Sequence, residues 1–123
     1  GAMAADQLKL PFLYVRPKPK EHGMGNQIEG AVLSGQKVIV VEDLISTGKS
    51  SLQVVDVLRQ AGVEVVGMAA IFSYGFAVAE EAFQMAQVPL EVLTDYTHLV
   101  ALAVEKGTVG ASTEDLLLEW RKD

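Results

Sequence analysis

Two adjacent carboxylates, Glu42 and Asp43, stand between a run of aliphatic residues and a loop rich in hydroxyl groups. The run at 38–41 reads VIVV, which is typical of a strand buried on both faces of a parallel sheet. The loop at 45–51 reads ISTGKSS, and its hydroxyls and the close backbone approach allowed by Gly48 suit a phosphate. The two acids can accept hydrogen bonds from a diol, such as the 2- and 3-hydroxyls of a ribose. The chemistry indicated is recognition of a ribose phosphate.

A helix is predicted directly after this loop. Leu52, Val55 and Leu58 recur every three residues, and Ala61-Gly62 marks the end of the helix. The order strand, loop, helix places the loop at the carboxyl end of a strand and at a helix N-terminus, where free N–H groups favour an anion.

Two nucleotide-binding motifs are excluded. Gly48-Lys49-Ser50 reads GKS, but an ATP- or GTP-binding loop needs another glycine five residues before the glycine of that triplet, and this chain has Asp43 there. A dinucleotide fingerprint is also excluded, because no G-x-G-x-x-G motif follows the strand.

The segment 40–50, VVEDLISTGKS, resembles the phosphoribosyl-diphosphate signature of type I phosphoribosyltransferases. Upstream, 14–23 (YVRPKPKEHG) and 26–30 (NQIEG) are similar to the mobile-loop segment of orotate phosphoribosyltransferases. The resemblance implies an α/β fold, a Rossmann-like parallel sheet flanked by helices. The implied reaction belongs to pyrimidine synthesis and converts orotate and 5-phosphoribosyl 1-diphosphate into orotidine 5-phosphate and diphosphate.

The resemblance also implies roles for individual residues. Lys20 and His22 would stabilise the departing diphosphate from a lid, with Lys20 reaching into the neighbouring subunit of a homodimer, and Asp43 would be the third catalytic residue. Ser46 is the implied orotate contact, and no residue is expected to bind a metal directly. The implied contacts of phosphoribosyl diphosphate are Arg16, Lys20, His22, Glu42, Asp43, Leu44, Ile45, Ser46, Thr47, Gly48, Lys49 and Ser50.

Magnesium is the implied cofactor, bridging the diphosphate and the ribose hydroxyls, because a hard dication suits phosphate and carboxylate oxygens. The chain departs from some relatives at two points. Pro17 follows Arg16 where they have a lysine, and no arginine lies between Arg59 and Arg121, where some orotate enzymes have one that contacts the base. Ser46 is therefore the better-supported orotate contact, and it accounts for only part of base recognition.

Outside these motifs the sequence predicts alternating strands and helices in one domain, 1–123. Residues 16–30 are expected to form a long exposed loop, and 73–76 (SYGF) to lie on the same sheet edge as the acid pair. Further strands are predicted at 12–15, 63–72 and 89–93, and helices at 2–10, 77–87, 96–106 and 112–121. The helix 77–87 is expected to turn Val78, Ala82, Phe83, Met85 and Ala86 inward.

Composition limits the partners. The chain has 10 Lys+Arg against 16 Asp+Glu, a net charge of -6, and no basic run, which argues against nucleic acid. It has no cysteine, no apolar stretch of membrane-spanning length and no signal-peptide pattern, so a cytoplasmic protein is expected. By the resemblance it corresponds to the C-terminal portion of a family member without the N-terminal hood, so weak substrate binding and very low activity are expected.

Two alternative functions stay open. The acceptor could be another base, although purine-type relatives do not usually carry the segment 20–23, KEHG. The same fold also occurs in nucleotide-sensing RNA-binding regulators, which need a basic face that this acidic composition disfavours.

Overall fold

A computed structural model gives the structure of residues 1–17, 27–107 and 110–122, with the backbone alone at 111, 112 and 122. Strands and helices alternate through the middle of the chain, as predicted. The elements are α1 (Ala2–Leu8), β1 (Tyr14–Val15), β2 (Ile28–Glu29), β3 (Lys37–Ile45), α2 (Lys49–Gln60), β4 (Glu64–Ser73), α3 (Ala77–Met85), β5 (Leu90–Asp95), α4 (Tyr96–Glu105) and α5 (Ala111–Lys122).

The centre of the fold is a parallel three-stranded sheet in the order β3, β4, β5, which confirms the predicted α/β class. Ile45 pairs with Ser73, and Ser73 pairs with Asp95, so the last residues of all three strands lie side by side. The carboxyl ends of the strands therefore form one edge, where open α/β sheets bind their ligands.

Strand β3 is longer than the run VIVV predicted. Its pairing with β4 continues to Ile45, so Glu42 and Asp43 lie inside the strand instead of after it. Because successive side chains of a strand point to opposite faces of the sheet, the two acids are directed apart.

One face of the sheet is covered by α2 and α3, which contact each other. The helices contribute Val55 and Leu58 from α2 and Ala79 and Phe83 from α3. With strand residues, and with Val63 and Val88 from the loops before β4 and β5, they form a core whose buried members are Ile45, Val55, Leu58, Val63, Val65, Met68, Ala70, Ala79, Phe83 and Val88.

The other face of the sheet is largely exposed. We call it the open face and define it by the side chains of Ile39, Val41, Ala69, Ile71 and Leu93, all of which are exposed. The prediction that the run 38–41 is buried on both faces is therefore wrong, because Ile39 and Val41 are 63% and 48% exposed. The nearest described cover is the start of α1, where a Cβ on Gly1 would lie 3.9 Å from Val41 Cβ.

Two further expectations need correction. The segment 16–30 is not loop throughout, because β1 and β2 pair antiparallel, with Tyr14 opposite Glu29 and Val15 opposite Ile28. In α3, Val78 and Met85 face outward with exposures of 56% and 87%, since the core-facing stripe of this helix runs through Ala79 and Phe83.

The tail forms two helices, as predicted, and its aromatic residues pack at the carboxyl edge of the sheet. Trp120 of α5 contacts the rings of Tyr74, Phe76 and Tyr96 at centroid distances of 6.1, 6.1 and 5.6 Å. Tyr74 and Phe76 stack on each other at 5.4 Å. This aromatic cluster joins α4 and α5 to the end of β4.

Candidate functional site

Gly48 makes the sharp change of direction from β3 into α2. Its φ of 83° is in the left-handed region, which favours glycine, and it is the N-cap of α2. A Cβ at this position would lie 2.9 Å from Cε2 of Phe83, so the backbone here is packed directly on the core. Both the conformation and the crowding require a glycine in the predicted phosphate loop.

The side chains around Gly48 are exposed at the start of α2. Ser46, Thr47, Lys49 and Ser50 are all exposed, and Thr47 Oγ1 accepts a long hydrogen bond of 3.4 Å from the Lys49 N–H. The structure thus brings together the hydroxyls, the lysine and the helix N-terminus that the sequence predicted, in a position open to a ligand.

Glu42 is held by the first turn of α2. Its Oε2 accepts a hydrogen bond of 2.9 Å from the hydroxyl of Ser51, which is 2% exposed. The sequence placed Ser51 among the loop hydroxyls that suit a phosphate, but the structure buries it and directs its hydroxyl to Glu42. Its contact fixes the orientation of the Glu42 carboxylate.

Asp43 has a different environment from its neighbour. It is exposed and lies on the opposite side of β3, in line with Ile39 and Val41 of the open face. The two acids therefore lie on opposite sides of β3, one carboxylate held by a hydroxyl and the other exposed to solvent.

The end of β4 lies beside this loop, as the sequence predicted. The Tyr74 N–H donates to the carbonyl of Ile45 at 3.1 Å, and Ser73 Oγ accepts from the Gly75 N–H at 3.0 Å. Segment 73–76 therefore extends the same polar edge from β3 towards β5.

Sequence reasoning missed that Arg121 returns to this edge. Its Nη1 donates to Thr97 Oγ1 at 2.7 Å and lies 3.6 Å from the position that a Cβ on Gly75 would occupy. The adjacent Trp120, as an aromatic residue in the last helix, was the one signal that this part of the tail docks near the site.

Asp95 ends β5 and caps α4. Its Oδ1 accepts from the His98 N–H at 2.9 Å and contacts His98 Nδ1 at 2.7 Å. The backbone hydrogen bond from His98 and then the side-chain contact lower the pKa of Asp95. His98 is the partner of the cap.

Arg16 lies at the base of the predicted lid. Its guanidinium is paired with the carboxylate of Glu29, with Nε 2.8 Å from Oε1, and its N–H donates to the Gln27 carbonyl at 2.6 Å. The structure thus places Arg16 on the β1–β2 pair. Lys20 and His22, the other two predicted lid contacts, lie outside the described residues.

A cavity of about 690 Å³ runs between α3 and β5. It meets the carboxyl edge at Ser73, Gly75 and Asp95, and its walls include Phe83 and Val92. None of the predicted phosphate-loop residues lines it, so it adjoins the candidate site without forming it.

The family model of the phosphoribosyl transferase domain matches residues 2–95 of this chain. The match contains β3, its acid pair and the glycine-led start of α2. This chain belongs to the phosphoribosyl transferase domain family. The type I phosphoribosyltransferase fold expected from the sequence is confirmed.

Comparison with similar proteins supports the assignment to this family. The chain is 53% identical over all its 123 residues to an orotate phosphoribosyltransferase of Bacteroides thetaiotaomicron. Its structure superimposes on an orotate phosphoribosyltransferase from Aeropyrum pernix with a TM-score of 0.72, 33% identity and 89% of the chain covered, which is 59% of that protein. A Mycobacterium tuberculosis orotate phosphoribosyltransferase in complex with 5-phospho-alpha-D-ribosyl 1-diphosphate gives a TM-score of 0.57 at 31% identity, covering 70% of this chain and 48% of that one.

The chain spans 58% of the length of the Bacteroides relative. Within the residues that the structure describes, no helix is long and apolar enough to cross a membrane. The described residues also contain no cluster of three histidine or acidic side chains able to hold a metal ion by themselves.

Proposed function

We propose that this chain carries the phosphoribosyl-diphosphate half-site of an orotate phosphoribosyltransferase. In the reaction, deprotonated N1 of orotate forms a bond to C1 of 5-phosphoribosyl 1-diphosphate. The bond from C1 to the diphosphate oxygen breaks, and its electron pair leaves with diphosphate. Orotate phosphoribosyltransferase relatives that are 53% identical over the whole chain support the choice of reaction.

The observation that carries the proposal is the arrangement of acids and loop at the end of β3. A carboxylate lies on each side of the strand, and three residues later an exposed hydroxyl-rich loop turns at Gly48 into the N-terminus of α2. Glu42 and Asp43 would hold the two ribose hydroxyls, and Ser46 to Ser50 would hold the 5-phosphate at the helix N-terminus.

The same arrangement suits the charge that develops during the reaction. As diphosphate departs, positive charge grows at C1, and two nearby carboxylates stabilise it. The Ser51 hydroxyl prevents Glu42 from rotating away, so that little reorganisation is needed at the moment of bond breaking. Ser46, at the start of the loop, is the proposed contact of the orotate base.

The lid residues complete the proposal. Arg16, Lys20 and His22 would bind the diphosphate, with Lys20 supplied across a homodimer. Because Arg16 is paired with Glu29, it would exchange this carboxylate for a diphosphate oxygen when substrate arrives. The lid would also exclude water from the activated sugar.

Magnesium fits this donor set as a partner of the substrate. The described residues have no cluster of three acidic or histidine ligands, so diphosphate and ribose oxygens would hold the ion, and Glu42 and Asp43 would accept hydrogen bonds from the ribose hydroxyls beside it. When bound, magnesium would supply charge neutralisation for the leaving diphosphate. Since the chain spans 58% of its relative, we propose weak binding and very low turnover for this chain by itself.

The proposal is tested by calorimetric titration with phosphoribosyl diphosphate and magnesium. Asp43→Asn and Glu42→Gln each remove a charge-assisted hydrogen bond of about 1.5 to 3 kcal/mol, so each should weaken binding by about tenfold or more. Asp56→Asn, on an exposed position of α2, is the matched control and should bind as the unchanged chain does.

Equal binding by all four proteins would show that the acid pair does not hold the ribose. Competition with orotate and with a purine base, measured on the sugar-phosphate complex, identifies the acceptor. If a purine binds in preference to orotate, the proposed reaction would be phosphoribosyl transfer to a purine and not to orotate.

A further inference from the structure

Arg121, near the end of α5, is held at the carboxyl edge of the sheet. Its Nη1 donates a hydrogen bond of 2.7 Å to the hydroxyl of Thr97, in the first turn of α4. The preceding residue, Trp120, packs against the rings of Tyr74 and Tyr96 at centroid distances of 6.1 and 5.6 Å. These contacts fix the last turns of α5 on the edge, so the guanidinium is positioned by the fold itself.

The positive charge of Arg121 has no close carboxylate partner. Arg16 is paired with a carboxylate, and Arg59 donates to two backbone carbonyls. In the part of the chain that the structure describes, Arg121 donates to a neutral hydroxyl and forms no ion pair. Hydrogen bonds from His98 are the main causes of the lowered pKa of Asp95, and the charge of Arg121 is the smallest. Since a guanidinium has five N–H donors, Arg121 can still bind an anion.

The end of β4 connects Arg121 to the phosphate loop. Its Nη1 lies 3.6 Å from the position of a Cβ on Gly75, which has a φ of +73° and no side chain to cover the guanidinium. The preceding Tyr74 donates its N–H to the carbonyl of Ile45 at 3.1 Å, and Ser46 follows Ile45. Since adjacent strands lie about 4.8 Å apart, Arg121 is one to two strand spacings, roughly 5 to 10 Å, from the strand end that carries Ser46.

Charge at this edge favours a cation in the position of Arg121. Glu42, Asp43 and Asp95 bring three carboxylates to the last residues of β3 and β5. An anionic base placed among them needs a positive partner, since like charges within a few ångströms repel. Lys49 lies in the loop proposed for the 5-phosphate, whereas Arg121 lies beyond it, between the ends of β4 and β5.

We propose that Arg121 binds the carboxylate of orotate and so selects an acidic pyrimidine as the acceptor base; this role rests on the proposed transferase function. A planar guanidinium binds a carboxylate through two parallel N–H···O bonds, which fix direction as well as charge. Ser46 on the ring and Arg121 on the carboxylate then contact the base from two parts of one edge, and two such contacts orient it for attack on C1.

The test compares orotate with uracil, which has the same ring without the carboxylate. Each is titrated into this chain and followed by nuclear magnetic resonance, with and without phosphoribosyl diphosphate and magnesium. The Nε–H signal of Arg121 should shift with orotate and not with uracil. Arg121→Gln should weaken orotate binding by about tenfold or more, because it removes a charge-assisted pair, and should leave uracil binding unchanged.

Two further variants separate geometry from charge. Arg121→Lys keeps the positive charge but loses the planar pair of donors, so it should recover only part of the orotate affinity. Lys106→Gln is the matched control, because it removes a positive charge from the exposed end of α4. It should bind orotate and uracil as the unchanged chain does.

Three results would overturn the proposal. The first is orotate binding that Arg121→Gln leaves unchanged, and the second is equal weakening of orotate and uracil, which would make Arg121 a structural residue of α5. The third is the absence of orotate binding when circular dichroism shows the chain folded.

Failure of the transferase function would look different. Arg121→Gln should leave the titration with phosphoribosyl diphosphate unchanged, because that ligand is assigned to the acids and the loop of β3. A chain that binds orotate through Arg121 without binding phosphoribosyl diphosphate would therefore contradict the proposed function and still support the role of Arg121.

Discussion

The two faces of the sheet are built from the same strands, but one is buried beneath helices and the other is exposed. On the covered face Met68 and Ala70 are 2% and 3% exposed beneath α2 and α3, whereas Ile71, the next residue of β4, is 54% exposed. The covered face holds this chain together, and the open face contributes little to its stability. The two acids of the candidate site are also divided between these faces, with Glu42 on the covered face and Asp43 on the open face.

In the candidate site, the carboxylate on the covered side is oriented by the core, and the carboxylate on the open side is exposed and available for recognition. Glu42 points to the covered side and is fixed by buried Ser51, while Asp43 shares the open side and is exposed. One carboxylate is thus oriented by the core of this chain. The other is available for contacts that the core does not determine.

The largest effect should come from Phe83, which is 3% exposed and contacts the helix start at Gly48. Phe83→Ala should lower the free energy of unfolding by about 3 to 5 kcal/mol, since it removes a buried ring and leaves a cavity. Met85→Ala, on the same helix at 87% exposure, should change it by less than about 0.5 kcal/mol. Urea unfolding followed by circular dichroism measures both; similar losses would contradict the assignment of the covered face.

Gly48→Ala should cause the next largest loss in the free energy of unfolding. Its left-handed φ costs an alanine about 1 to 2 kcal/mol, and the 2.9 Å approach to Phe83 adds about 1 to 3 kcal/mol of overpacking. Gly35→Ala is the control, because Gly35 has a φ of +82° and nothing within 4 Å of the added Cβ. Gly35→Ala should lower the free energy of unfolding only by the cost of the left-handed φ, about 1 to 2 kcal/mol.

The double variant Gly48→Ala with Phe83→Leu tests whether the phenyl ring of Phe83 causes the crowding at Gly48. If the phenyl ring causes the crowding, the two changes should cost less together than the sum of their separate costs. Strict additivity would show that the loop is not held by the core of the covered face.

Much of the covered side could be predicted from the sequence because its signals are local. The i, i+3 spacing of Leu52, Val55 and Leu58 and the closing Gly62 gave helix α2, and the apolar run after it gave β4. The turn at Gly48 followed from residue types, since glycine readily adopts the left-handed φ found there.

The open face and the far side of the site could not be predicted in this way. The run 38–41 has the same aliphatic residues whether one face or both are covered, so composition does not reveal that Ile39 and Val41 are exposed. Arg121 reaches Gly75 only because the aromatic cluster folds α5 back, a contact between residues distant in sequence. The end of β3 depended on pairing with Ser73, which is also non-local.

A smaller effect is expected at Asp95, the polar end of β5. Asp95→Ala removes the cap of α4 and should cost about 1 kcal/mol of unfolding free energy. The pKa of Asp95 is lowered from 3.8 by the His98 backbone hydrogen bond, so its contribution is full above that value and is lost as pH falls through the lowered pKa.

Asp95→Asn separates charge from capping. It keeps a capping side chain but does not titrate, so its free energy of unfolding should fall less steeply than that of the unchanged chain as pH is lowered below 3.8. Parallel pH profiles for the two proteins would show that the ionised carboxylate adds nothing to the cap.

The smallest effect is expected on the open face itself. Leu93 is 84% exposed, so Leu93→Thr should change the unfolding free energy of this chain by less than about 0.5 kcal/mol, with threonine also suited to a strand. A loss comparable to that of Phe83→Ala would mean that the open face is buried in solution. Because burial by self-association makes stability depend on protein concentration, repeating the urea unfolding at several concentrations would show whether a second copy is the cause.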